Sequence, residues 1–154
     1  MNEIYYADSS ALLKRHVIEI GSNWIKTEFS TSSDNIIYTS ELSIAEVLSA
    51  LNRRKRELSV SPADYARFSK DFLAVSKFQY EIIDLSDAVL LESQRLLENY
   101  PLRAGDAIQL ASALLANAQL TSAKLPALIF LASDIRLLSA AKDEGLQTDD
   151  PQNH

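Results

Sequence analysis

Four acidic residues hold the positions from which this chain could do chemistry: Asp8, Glu46, Asp106 and Asp134. Asp8 follows the apolar run Ile4-Tyr5-Tyr6-Ala7 and precedes Ser9 and Ser10, where a helical pattern begins at once. A carboxylate so placed sits at the carboxyl end of a strand, where open α/β sheets put their ligands. Asp134 repeats the arrangement after Leu128-Ile129-Phe130-Leu131, with Ser133 as the small hydroxyl residue. Around Glu46, the helical neighbours three and four positions away are Leu42, Ser43, Ser49 and Ala50, none of them charged. A lone carboxylate on such a stretch costs free energy unless a cation or a donor meets it. Asp106 heads a helix that continues Ala107-Ile108-Gln109-Leu110-Ala111, apolar on most sides. Each acid also has an ordinary explanation, as a helix cap, a dipole-favoured first-turn acid or a solvated glutamate. The repetition of the arrangement says more than any single member.

Gathered at one edge of a sheet, four carboxylates repel one another at neutral pH. Mg²⁺ or Mn²⁺ makes such a cluster tolerable, since both are hard cations that prefer oxygen ligands. The chain has no cysteine and only two histidines, His16 and His154, too few preferred ligands for zinc. Disulfides and cysteine nucleophiles are excluded by the same count. Carboxylate–Mg²⁺ centres catalyse phosphoryl transfer by activating water and neutralising charge on the leaving oxygen.

The elements that must position these acids are legible from hydrophobic pattern and punctuation. Strands are expected at Ile4–Ala7, Ile36–Thr39, Tyr80–Leu85 and Ala127–Leu131, with a short edge strand over Leu146–Thr148. Helices alternate with them: to about His16, over Asn23–Phe29, Ser40 to Leu58, Ser61 to Lys77, Ser86 to Asn99, Asp106 to Gln119 and Ser133 to Glu144. Phe68, Phe72, Leu73 and Val75 are expected to supply the buried face of the fourth helix, and Tyr100–Gly105 reads as a loop. Short apolar strands between helices imply a parallel sheet covered on both faces, an α/β fold with four or five strands. Residues 1–148 read as one domain and 149–154 as a disordered tail.

With 47% hydrophobic and 23% charged residues the composition is that of an ordinary globular protein. The N-terminus lacks a basic region and Asp8 interrupts its apolar run, so no signal peptide is expected. Ala107–Leu120 and Leu125–Ala132 are too short or too broken to span a bilayer. A soluble, cytoplasmic protein with no membrane partner is the expectation. The formal net charge of −6 speaks against a phosphate-backbone binder. That objection weakens if acids are gathered around divalent cations, which reverse the local field.

Four stretches, Tyr6-Ala7-Asp8-Ser9-Ser10-Ala11-Leu12-Leu13-Lys14, Ser43-Ile44-Ala45-Glu46-Val47, Gly105 to Ala113 and Ala132-Ser133-Asp134-Ile135-Arg136-Leu137-Leu138, resemble the four signature blocks of PIN-domain ribonucleases. The closest subgroup is the VapC-type toxin of toxin–antitoxin pairs. The resemblance implies a PIN-like fold and Asp8, Glu46, Asp106 and Asp134 as both metal-binding and catalytic residues, with Ser10 supporting Asp8. It also implies Mg²⁺- or Mn²⁺-dependent endonucleolytic cleavage of RNA, a homodimer and inhibition by a cognate antitoxin protein. Two positions depart from the family's pattern: Gly105, where the third block often has proline, and Ala132, where the fourth often has threonine.

The run Arg53-Arg54-Lys55-Arg56, with Arg15 and Arg103 as helpers, is the candidate contact for an RNA backbone. The same run also reads as a solvated helix end whose cations complement the dipole. Tyr5, Tyr6, Tyr38 and the phenylalanines read as core instead of base-stacking platforms. A catalytically silent PIN-like module acting by protein binding or regulation is the alternative to the enzyme. A phospho-accepting receiver domain is rejected, because paired acids at the first strand are missing.

Overall fold

A computed structural model describes residues 2–154. In chain order it contains β1 (Ile4–Ala7), α1 (Ser9–Leu13), α2 (Ser22–Glu28), β2 (Ile36–Ser40), α3 (Glu41–Arg56) and α4 (Pro62–Gln79). There follow β3 (Tyr80–Ile83), α5 (Asp87–Asn99), α6 (Ala104–Ser122), β4 (Ile129–Leu131), α7 (Ile135–Asp143) and β5 (Gln147–Asp149). The strands form one all-parallel sheet in the order β3-β2-β1-β4-β5. Succession runs outward from β1 to β3, then crosses to β4 on the other side. The order therefore reverses between β1 and β4, and a crevice at the carboxyl ends of those two strands is where such sheets bind ligands. β1 and β4 are in register with Ala7 opposite Leu131, so Asp8 and Asp134 both leave the sheet at this crevice.

The period-2 alternation of β1 sends its side chains into two cores. Ile4 and Tyr6 join Phe130, Leu96, Leu110 and Leu137 beneath α5, α6 and α7. Tyr5 and Ala7 join Leu131, Leu12, Ile25, Leu51 and Phe72 beneath α1 to α4. Helix starts are capped as their residue types require: Ser40, Ser61 and Ser86 each accept a backbone N–H from the first turn. Among the described residues no helix is long and apolar enough to cross a membrane.

Four expectations are corrected. α6 begins at Ala104, so Gly105 lies in its first turn and not in a loop. Leu73 is half exposed and Phe78 largely so, because the face of α4 that meets the core is carried by Phe72 and Ser76, with Phe68 and Val75 partly buried against it. α1 ends at Leu13, where two successive amides, His16 N–H and Val17 N–H, both bond its carbonyl and close a turn.

The fourth concerns 149–154, which is ordered. Asp149 closes β5, and Pro151–Asn153 form a 3₁₀ turn capped by Asp150, which accepts the Gln152 N–H at 2.9 Å. His154 stacks on Trp24 with ring centroids 4.1 Å apart. The turn seats against Gly21, whose φ is +89° and at which a Cβ would lie 2.2 Å from the Pro151 carbonyl oxygen. Gly21→Ala is expected to cost about 2 kcal/mol or more, from left-handed backbone strain plus displacement of the turn. Gly145→Ala, at φ +90° but with open space around it, should cost only the strain, about 1 kcal/mol. Thermal unfolding compares them, and equal losses would show that the Pro151 contact contributes nothing.

Candidate active site

A cavity of about 650 Å³ opens at the crevice between β1 and β4, and Asp8, Glu46, Asp106 and Asp134 all line it. Asp8 is the N-cap of α1: its Oδ1 accepts the Ala11 N–H at 3.0 Å and the Ser10 hydroxyl at 2.6 Å. It is buried, and burial pushes its carboxyl up to about 6; Ser10 and Ala11 oppose that rise, while the charges of Asp106 and Glu46 add to it. Glu46 reaches the cavity from the second turn of α3, and its Oε1 accepts from Gln109 Nε2 at 2.7 Å. Its carboxyl is raised by desolvation, partly offset by Gln109 and raised again by Asp106. Asp106, in the first turn of α6, is raised by desolvation and by Asp134, with Arg103 opposing. Asp134 is exposed at the N-cap of α7 and accepts the Arg136 and Leu137 N–H groups at 2.8 and 3.1 Å.

Both aspartates at strand ends thus cap helices and face the cavity as well. Capping a helix and facing the cavity are therefore compatible. The donors are all oxygen, since His16 packs edge-on against Phe72 and His154 stacks on Trp24, each away from the cavity. In type this set suits a hard divalent cation. Among the described residues, however, no three acidic or histidine side chains close into a single ligating cluster.

The basic run is split by the rotation of α3. Arg53 lines the cavity. Arg54 forms an ion pair with Glu19, which also takes Lys14 at 3.1 Å, and Lys55 lies over the Tyr65 ring at 4.0 Å. Arg56 is exposed and does not line the cavity. Of the two helpers, Arg103 lines the cavity while Arg15 turns to the Tyr80 hydroxyl at 3.4 Å. Arg136, given no role from sequence, is the third guanidinium at the rim. Three arginines against four carboxylates leave the cavity near neutral, and one divalent ion would make it positive.

Residues 5–142 match the model of the PIN domain family. The chain belongs to the PIN-domain family. No curated protein sequence matches it. Among solved structures, a crystal structure of VapBC2 from Rickettsia felis bound to a fragment of promoter DNA is similar with a TM-score of 0.62. That likeness covers 96% of this chain and 98% of the other at 14% identity. PAE2754 from Pyrobaculum aerophilum gives 0.61 at 21% identity, covering 99% and 94%. A toxin–antitoxin complex from Klebsiella pneumoniae gives 0.60 at 16% identity, covering 96% and 97%. At these identities the likeness is one of fold.

Two features of this PIN domain bear on its departures from the family's pattern. Gly105 is packed against Glu46, and a Cβ there would lie 3.1 Å from Oε2. Its missing side chain makes room for the carboxylate. Ala132 is fully buried, and the neighbouring Ser133 hydroxyl donates to Asp150 Oδ1 at 3.1 Å. That hydroxyl is therefore engaged with the C-terminal turn. Gln109 and Ser43, buried beside Glu46, and Thr39 behind them on β2 also escape a reading of sequence alone, because each lies among the apolar residues of its own element.

Proposed function

We infer that this PIN domain is a metal-dependent endoribonuclease, the toxin component of a toxin–antitoxin pair. One observation carries the reading: four carboxylates from four separate elements open on one cavity at the reversal of strand order, with arginines at its rim. The family and the toxin–antitoxin complexes among the similar folds support it.

Asp8, Glu46, Asp106 and Asp134 are the residues that would hold Mg²⁺ or Mn²⁺. When bound there, such an ion supplies polarisation of the phosphoryl oxygens and acidification of water. The open spacing of the acids fits Mg²⁺, which usually takes one or two carboxylates and keeps several waters. The remaining work falls to the chain's own groups. Ser10 and the Ala11 amide hold the Asp8 carboxylate toward the cavity. Arg53 on α3, with Arg103 and Arg136 at the starts of α6 and α7, would draw the phosphodiester in and screen it from the acids. A homodimer and an antitoxin partner belong to the same proposal, and exposed Leu73 and Phe78 on α4 are available for either.

The open acid arrangement also lends some support to a catalytically silent binding module. One assay separates the two. Purified protein, freed of any co-purifying partner, is incubated with a mixed RNA pool in Mg²⁺, Mn²⁺ or EDTA. Cleavage that requires metal is the expected result; a folded protein that cuts nothing in either metal would favour the module. Arg53→Ala and Arg136→Ala should each raise the KM for RNA several-fold and lower the salt slope of binding by about one. Unchanged slopes in both would remove these arginines from the RNA path.

A further inference from the structure

Gln109 is only 2% exposed and stands between Tyr6, Ser43 and Glu46. Donor and acceptor chemistry orients the Gln109 amide. The ionised Glu46 carboxylate only accepts, so the amide nitrogen of Gln109 must be the atom that faces it, at 2.7 Å. The amide oxygen then accepts the Tyr6 hydroxyl, also at 2.7 Å. The second amide proton goes to Ser43 Oγ at 2.8 Å. Thr39 Oγ1 donates to the Ala7 carbonyl at 2.7 Å and lies 2.8 Å from Ser43 Oγ, whose own proton has Thr39 Oγ1 and, at 3.3 Å, Gln109 Oε1 as acceptors.

Ala7 immediately precedes Asp8. This relay therefore ties the wall that carries Glu46 to the strand that carries Asp8, through groups that are almost wholly buried. Burying a primary amide is costly unless its bonds are made; here both N–H groups and the carbonyl are used. A leucine or methionine would fill the same volume without that demand. On its other side the carboxylate meets Gly105, where a Cβ would come within 3.1 Å of Oε2. One oxygen is held by a donor, and the other would be crowded by any side chain at position 105.

We propose that Gln109, itself oriented by the Tyr6 hydroxyl, is a positioning residue that aims the Glu46 carboxylate into the cavity. Its kinetic consequence rests on the nuclease reading; its effect on Glu46 does not. The outer partners of metal-binding carboxylates are typically worth 10- to 100-fold in metal affinity or activity.

The test uses Gln109→Met in the full chain, with three readouts. In RNA cleavage, kcat is expected to fall about 10- to 100-fold with KM within about twofold. Mn²⁺ titration followed by electron paramagnetic resonance should show affinity weakened by a similar factor. The variant's crystal structure should show the Glu46 side chain turned from its place. Wild-type kcat and Mn²⁺ affinity, a loss confined to KM or to thermal stability, or an unmoved Glu46 would each overturn the proposal. If Gln109→Met does not fold, Gly105→Ala crowds the other carboxylate oxygen without touching the buried relay. It should then give the same pattern of lower kcat and Mn²⁺ affinity at constant KM, and unchanged values count against the proposal. If the wild type cuts no RNA, the nuclease reading fails by itself, and the position of Glu46 still decides for Gln109.

Discussion

Asp8→Asn is expected to lower RNA cleavage by at least about a thousandfold, the scale of losing a preorganised charge in a reaction centre, while making the metal-free protein more stable. The two effects share one cause. Asp8 is buried beside Asp106 and Glu46, and its carboxyl is pushed up to about 6, against about 3.9 in an unfolded chain. Between those values the folded state binds more protons than the unfolded state. Stability therefore falls as pH rises from about 4 to about 6, and the loss persists above that window. A shift of this size corresponds to about 3 kcal/mol. Asparagine keeps an oxygen for the Ala11 N–H, so the cap survives, but it carries no charge to desolvate.

Denaturant melts in EDTA at pH 4 and pH 7 check this. The variant should gain roughly 2 to 3 kcal/mol on the wild type between the two. Parallel pH profiles would sink the argument. Added Mg²⁺ should raise the melting temperature of the wild type more than that of the variant, because only a ligand of the native state stabilises it.

Phe130→Ala should cost about 4 kcal/mol, a large share of the stability of any single domain. Phe130 is fully buried on β4 and stacks on Tyr6 of β1, with ring centroids 5.5 Å apart and 9° between planes. Truncation leaves a cavity between adjacent central strands and removes the stacking partner of Tyr6. The Tyr6 hydroxyl is the donor that orients Gln109, so the loss should reach the site as well. Phe78→Ala, on the exposed face of α4, should change stability by less than about 0.5 kcal/mol. Urea unfolding of both decides it, and similar midpoints would mean that the core between β1 and β4 relaxes around the gap.

Much of this protein was legible from local pattern. Apolar runs of strand length between helical periodicities mark a parallel α/β sheet, and every strand was placed to within about two residues. Asp8 and Asp134 stand out because each follows an apolar run and opens a helix, information contained within about ten residues. The strand order was not legible. The reversal between β1 and β4, which brings those two acids to one crevice, depends on pairings across more than a hundred positions. Arg53-Arg54-Lys55-Arg56 reads as one patch, yet helical rotation sends the cations to the cavity, to Glu19, to Tyr65 and to solvent. Asp149–His154 has the composition of a fraying end, and β4, Ser133, Gly21 and Trp24, distant in sequence, give it somewhere to pack.

The amino-acid sequence by itself determined which residues carry charge to a sheet edge and what kind of ligand such oxygen donors suit. Tertiary structure alone decided which cations join them and how each carboxylate is aimed. Residue type and periodicity are properties of neighbours along the chain. Aim is set by hydrogen bonds such as that from Gln109 to Glu46, which spans 63 positions and exists only once α3 and α6 have packed.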